Sequence, residues 1–449
     1  MKIKYLRIIR SSTLSGLVLL FVTLLTTSEA NSAGLTFTGL SRQAISVRPG
    51  SNTGLEEIYV LPTVNGATAV YTASNPASSV KWYRYSNLGG GYAEEIRNVS
   101  HSGNEWSITG YEGDMGYIVD EGTDRHCYWI VDYEEHPLSM QALNIVPTDE
   151  CDVVTLDFVG SADRITYYSV NGRAVELDRE LRLEYNTMEY SDERGDFIDI
   201  TEEKSLASIT GELHVQAPYC DTRFTLSGDR FMTQWDMGES VESPLFQTSA
   251  VDAHTDAVQE ERDNENEQTE GSTGDILGGS APVHITFTAT VTPAAIFQEW
   301  QTAADEEFND IINRYNQLEL DMTFTEMGKT YLRFVAADAS GRCEYTGQTY
   351  TVQIGESRLE IPNAFSPNAS EGTNDEWKVS YKSIVKFECH IFNRYGEKMI
   401  TLSDPSQGWD GKYKGKYVPA GVYFYVIKAT GSDGKKYDKA GDINIINYK

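Results

Sequence analysis

Seven histidines, at positions 101, 126, 136, 214, 254, 284 and 390, are the side chains of this 449-residue chain best suited to move protons near neutral pH. They lie far apart, and no Gly-x-Ser-x-Gly elbow, phosphate-binding glycine loop or His-Glu-x-x-His pair accompanies them. Two of them adjoin a cysteine, in His126–Cys127 and Cys389–His390. Neighbouring side chains on a strand point to opposite faces, so neither imidazole can deprotonate its adjacent thiol. Carboxylates number 67, so many that a glycosidase-like pair could be drawn anywhere and none is selected. We therefore assign no catalytic, cofactor-binding or metal-binding residue, and the expectation is a protein that is not an enzyme. A secreted hydrolase with an unrecognised site is the rival.

Whatever these residues do, β-structure must position them. The 27 Tyr outnumber the 16 Phe, and Tyr suits half-buried sheet faces because its ring packs while its hydroxyl stays wet. The length implies three or four domains. With 37 basic and 67 acidic side chains the net charge is −30, which excludes nucleic acid and anionic lipid as main partners. Residues 376–449 depart from this, with 13 Lys and Arg against 8 Asp and Glu. The end of the chain is basic and the rest strongly acidic.

Residues 1–30 read as a signal peptide. Lys2, Lys4, Arg7 and Arg10 precede an apolar run from Leu14 to Leu25, and a small-x-small cleavage site ends at Ala30. The run is short of the about 20 apolar residues that cross a bilayer. Export would place the five Cys in an oxidising compartment, and five leaves at least one unpaired within the chain. Cys127–Cys151 would tie the first domain to the second, whereas Cys151–Cys220 would staple the second internally; either gains about 3–4 kcal/mol. Cys343 and Cys389 are expected as free, buried thiols on separate domains.

In residues 34–146, Val80-Lys-Trp-Tyr-Arg-Tyr, Asp114-Met-Gly-Tyr-Ile-Val and His126-Cys-Tyr-Trp-Ile-Val alternate at period two. This order of a Trp-bearing strand, a Tyr corner and an aromatic strand resembles an immunoglobulin-like sandwich, with Val119 where that pattern has Cys and Trp82 as the core plug. Residues 147–250 repeat the texture, and Asn171-Gly there predicts a hairpin turn. Residues 251–280 are expected as an acidic flexible linker or loop, since nine acidic side chains and few aliphatics fall in 252–275. Residues 281–357 carry Phe324-Thr-Glu-Met-Gly-Lys-Thr-Tyr, which resembles the PKD-type Ig-like module with one extra residue. Phe308–Leu320 has mixed periodicity and reads as either helix or strand.

Residues 358–449 hold the most specific phrases. Pro362, Asn363, Phe365, Ser366, Pro367 and Asn368 open the stretch, and Asn374 and Asp375 follow. Phe392, Asn393, Arg394 and Gly396 run a strand into a turn; Trp409, Asp410 and Gly411 form another turn before Gly421 and Tyr423 open an alternating strand. In this order the phrases resemble the gliding-motility-associated C-terminal domain, a type B sorting signal for type IX secretion in Bacteroidetes-type bacteria. The loop after Phe-Ser-Pro departs from the family's Asn-Gly-Asp-Gly pattern, and Tyr395 replaces a common Trp. The resemblance implies a β-sandwich read by the type IX secretion machinery, and carries no gliding role for this chain.

The expected architecture is therefore all-β: tandem Ig-like β-sandwich domains with a C-terminal β-sandwich sorting domain. The expected protein is exported across the inner membrane to the extracellular or outer-membrane surface, where its role is structural or adhesive toward a surface protein or glycan. The rival from the binding-protein class is a surface carbohydrate-binding protein, which would expose Trp82, Trp106, Trp129 or Trp235 on one module.

Overall fold

The computed structural model describes residues 34–446, apart from 75–78, 90, 123, 269–275, 368–371 and 373. The signal-peptide expectation at residues 1–30, with Ala30, and the motif residue Asn368 lie outside the described residues. Among the described residues, α-helix is confined to Arg230–Gln234, and no helix is long and apolar enough to cross a membrane. The chain divides into two compact units, 1–136 with 166–176, and 137–165 with 177–449.

The first unit is a two-sheet sandwich. One sheet orders Gly34–Thr38, Thr68–Thr72, Glu105–Thr109 and Ser100–Ser102; the other orders Ile45–Val47, Glu57–Leu61, Arg125–Asp132, Met115–Asp120, Lys81–Tyr85 and Glu94–Ile96. Trp82 is fully buried, opposite Val119 in the ladder and edge-on to Tyr71 at 6.4 Å. Two aromatic rings thus fill the space that a disulfide crosses in antibody domains. The Tyr117 hydroxyl donates to the Glu112 carbonyl (2.7 Å), which closes the Tyr corner on its own strand approach. The hairpin tip at 166–176 belongs to this unit: the Val170 N–H donates to the Thr53 carbonyl (2.7 Å), and Tyr168 packs on Trp129. The Asn171-Gly turn sits at that tip, with Gly172 at φ 82.

The second unit holds three β-modules. The first of them pairs Ser139–Val146, Val153–Ala162 and Ile209–Gln216 in one sheet, and Asp196–Leu206, Leu181–Ser191, Thr225–Gly228 and Glu239–Glu242 in the other. This corrects the boundary expected at 146. Ser139–Val146 runs antiparallel to Val153–Ala162, and a strand takes the domain of the neighbour it pairs with. Inside this module Arg179 and Asp229 are both fully buried and meet at 2.8 Å.

The next module corrects the expected linker at 251–280 and the expected start at 281. Ala253–Gln259 is a strand paired along its whole length with Val283–Val291, whose alternating burial is that of a sheet packed on one face. Its inward residues, Ala253 and Thr255, are small, so the sequence shows no apolar alternation there. Phe308–Leu320 resolves to strands, Ile311–Tyr315 and the start of Glu319–Phe324. Most of Ile311–Tyr315 is exposed on both faces, which removes the period-two signal.

The thiol pairing also differs from both alternatives. Cys151 is bonded to Cys343 across 192 residues, with Cα atoms 5.5 Å apart, while Cys127, Cys220 and Cys389 are free. Cys343 ends a turn that Asp338 organises, its carboxylate accepting from the N–H groups of Arg342 (3.0 Å) and Cys343 (3.1 Å). Desolvation raises the Asp338 carboxyl, but hydrogen bonds from Ser340, Cys343 and Arg342 outweigh it and hold it below its ordinary value. The bridge crosses two modules, so no local spacing foretells it. Replacing Cys343 by Ser is expected to lower stability by about 2–4 kcal/mol, less than chain entropy alone would give because the modules also pack. Denaturant unfolding of oxidised and reduced protein checks this, since reduction should reproduce the variant.

The last module is built on a five-stranded sheet, ordered Ala364–Phe365, Lys436–Ile445, Gly421–Gly431, Ile384–Phe392 and Lys398–Leu402. Arg358–Glu360 and Ser380–Lys382 pair beside it. Its core gathers Phe365, Trp377, Trp409, Tyr381, Ile391, Ile427 and Ile443. Cys389 lies in that core, and burial pushes its thiol up to about 12.

Candidate functional site

The histidines were the first candidates for chemistry, and five of the seven bond to a carboxylate or hydroxyl beside them. His126 meets Glu56 (2.8 Å) and His136 meets Asp114 (2.9 Å). His390 comes nearest to a nucleophile, base and acid in line: Nδ1 lies 3.0 Å from Thr401 Oγ1, and Nε2 lies 3.3 Å from Glu388. The same contact recurs at His284 with Thr323 (3.1 Å) and His214 with Thr155 (3.0 Å). In all three cases the two residues face each other directly across an antiparallel ladder. A His opposite a Thr makes that hydrogen bond wherever register allows, so the arrangement reads as cross-strand pairing rather than as machinery. Cys389 points into the core while His390 points out to Thr401, as alternation requires.

The motif residues of the last module divide into a packed group and a presented group. In the packed group, Trp409 is fully buried between Phe365 (5.6 Å) and Tyr423 (5.2 Å). Its backbone exchanges both hydrogen bonds with Trp377 (2.9 and 3.0 Å), and its indole N–H donates to the Lys412 carbonyl (3.0 Å). The Trp377 indole N–H reaches the Pro362 carbonyl at 2.7 Å. The Asn363 carbonyl accepts from the Asn444 N–H (2.8 Å), and Phe365 sits in parallel register with Ile445. The Ser366 N–H donates to the Asn374 carbonyl (2.9 Å), and Asp375 accepts from the Gly372 N–H (2.7 Å), which closes that loop. Gly411 has φ 74 and would bring a Cβ to 3.0 Å from the Pro367 ring, so its lack of a side chain is required twice over. Asp410 accepts from the Lys412 N–H (3.0 Å), and Gly421 starts the strand that carries Tyr423, whose hydroxyl donates to the Pro419 carbonyl (3.0 Å).

The presented group is the Phe392–Gly396 turn. The Asn393 side-chain oxygen accepts from the N–H groups of Tyr395 (2.9 Å) and Glu397 (3.0 Å), and Gly396 takes φ 80. Arg394 lies over the Tyr395 ring, which is 80 % exposed. Nearby, Lys414 covers Tyr413 and Lys412 covers Tyr417. The Asp410 carboxylate beside Lys412 holds that amine above its usual value. Phe392 faces Phe424 across the ladder, and Val422, Phe424 and Val426 stand exposed along one strand. This surface is basic at its turns and apolar along its sheet.

Sequence reasoning missed two groups. Asn264, Asn266, Glu267 and Gln268, within the expected linker, contact Tyr381 or the strand that carries it. The buried Arg179–Asp229 pair belongs to no motif, and its two residues are 50 apart.

Residues 359–445 match the family model of the CHU_C Type IX secretion signal domain. Residues 145–243 match that of the fibronectin type III domain, Fn3_FA. No curated protein matches the chain. Among solved structures, the chain is similar to the tetra-tandem repeat in the extending region of a large adhesion protein, at 10 % identity and TM-score 0.22 over 92 % of this chain and 100 % of that one. Three N-terminal domains of the bacteriophage RB49 highly immunogenic outer capsid protein share 12 % identity at TM-score 0.22, covering 69 % of this chain and 99 % of that one. The I9–I11 tandem from titin shares 11 % identity at TM-score 0.16, covering 64 % and 90 %. A C-terminal type IX secretion signal implies export, contact with the secretion machinery and an extracellular or cell-surface location.

Proposed function

We propose that the last module delivers this protein through the type IX machinery to the outer surface of the cell, where the acidic modules serve a structural or adhesive role without chemistry of their own. The observation that carries the reading is the match of residues 359–445 to a type IX secretion signal domain, over a stretch whose motif phrases pack into one folded unit. The body supports the second half. Two of its modules are cross-linked by Cys151–Cys343, and its charge favours a solvated surface over adsorption onto anionic ones.

A carbohydrate-binding role has less support. Trp82, Trp129 and Trp235 are buried in cores and cannot stack on a sugar. Trp106 is half-buried and already stacks on His101, with ring centroids 4.1 Å apart. One such ring is a small platform.

The delivery reading is tested in a bacterium with a working type IX system. Cells expressing the full chain are compared with cells expressing a chain that stops at residue 358, using surface labelling and extracellular protease. The full chain is expected at the surface and the shortened one retained. Equal surface delivery would sink the reading.

A further inference from the structure

We propose that the sorting signal is a composite: residues 262–268, which belong to the preceding module, form a strap that completes the last module and is needed for delivery. The proposal rests on the delivery reading above and names a part of the signal that lies outside residues 359–445.

The strand Ser380–Lys382 pairs on one side with Arg358–Glu360. Its other side is taken by the strap, through a parallel bridge between Glu267 and Tyr381. The Tyr381 N–H donates to the Asn266 carbonyl (3.0 Å), and the Gln268 N–H donates to the Tyr381 carbonyl (2.7 Å). The Asn266 amide then donates twice, to the carbonyls of Val379 (2.7 Å) and Pro405 (2.8 Å), so one side chain joins two segments of the last module. The Gln268 amide donates to Ser380 Oγ (2.8 Å).

Glu267 fixes the strap's own shape. Its buried carboxylate accepts from Arg262 (2.6 Å), Asn264 (3.0 Å) and the Tyr381 hydroxyl (3.3 Å). A second seam runs alongside. The Ser383 N–H donates to Ser280 Oγ (2.8 Å), the Met327 N–H donates to the Ser432 carbonyl (3.0 Å), and Val385 packs on the core of the preceding module. Without the strap, Ser380–Lys382 becomes a free edge, and two carbonyls lose the amide that serves them. An acidic sequence with little to bury is thus ordered because its amides have named partners in the last module.

Asn266 and Gln268 are positioning residues, and the full chain is the object tested. The variants are Asn266→Ala with Gln268→Pro, which removes the side-chain donors and one N–H of the bridge, and Gln268→Pro alone. Asp229→Asn serves as a control that weakens the chain in the fibronectin-type module and leaves the strap intact. Surface delivery and circular dichroism are measured for each. Losing three hydrogen bonds to carbonyls is expected to cut delivery by about tenfold for the double variant, and by less for Gln268→Pro. Asp229→Asn is expected to be delivered as the parent is. Parental delivery of the double variant, with the chain ending at residue 358 still retained, overturns the strap and leaves the delivery reading standing. An equal loss in Asp229→Asn also overturns it, because delivery would then follow stability. Normal delivery of the shortened chain overturns the delivery reading itself.

Discussion

Truncating Trp409 to Ala is expected to cost the last module about 3–5 kcal/mol, the range for removing a fully buried aromatic. The side chain is wholly enclosed, and its removal strips Phe365 and Tyr423 of their shared neighbour. It also leaves the Lys412 carbonyl without the indole N–H that now serves it. Trp409→Phe keeps most of the apolar volume and loses that hydrogen bond with the remainder, so it should recover more than half of the loss. Calorimetry on the full chain checks both, because modules of differing stability melt in separable steps and only the step of the last module should move. A loss below about 1 kcal/mol for Trp409→Ala would mean that the site collapses to fill the space, and that the Trp is not the centre of the module.

Asp229→Ala is expected to destabilise the fibronectin-type module by about 3–5 kcal/mol, because it removes the carboxylate that accepts from the buried Arg179 guanidinium. Two contributions can be separated. Asp229 Oδ2 accepts from Arg179 Nε (2.8 Å), while Oδ1 accepts from the Met232 N–H (2.9 Å) and caps the helix Arg230–Gln234. Asp229→Asn retains the capping oxygen and should recover about 1 kcal/mol of the loss. Removing both charges, as Arg179→Met with Asp229→Asn, should restore stability beyond either single change, since neither buried charge of the pair then remains. Urea unfolding of the four proteins forms a double-mutant cycle. Additive losses would show that the pair is not coupled.

Legibility followed the range over which each feature is encoded. Trp409-Asp-Gly and Phe392-Asn-Arg-Tyr-Gly are local: Gly411 and Gly396 have positive φ, and Asn393 bonds its own turn, so the phrases announce the geometry they adopt. Trp82 and the Tyr117 corner were readable for the same reason. The strap was not, because its signal includes one amide, that of Asn266, whose two partners lie 113 and 139 residues away in sequence. Composition there argued for a solvated loop, and composition does not register hydrogen bonds to a neighbour. Ala253–Gln259 failed for a related reason, its inward side chains being too small to mark a face. The Cys151–Cys343 pair depends on where two modules meet, which no spacing encodes.

That bridge has a mechanical meaning for a chain placed under tension. A pull applied to the chain on either side of it travels through the two sulfur atoms and bypasses the residues between them. The 192-residue separation corresponds to about 630–690 Å of fully extended chain, and none of that length can be paid out while the bond is intact. Most of the fibronectin-type module and most of the one after it are thereby taken out of the load path. Under tension these two modules act as a fixed link of short reach, and yielding is left to the first sandwich and to the last module.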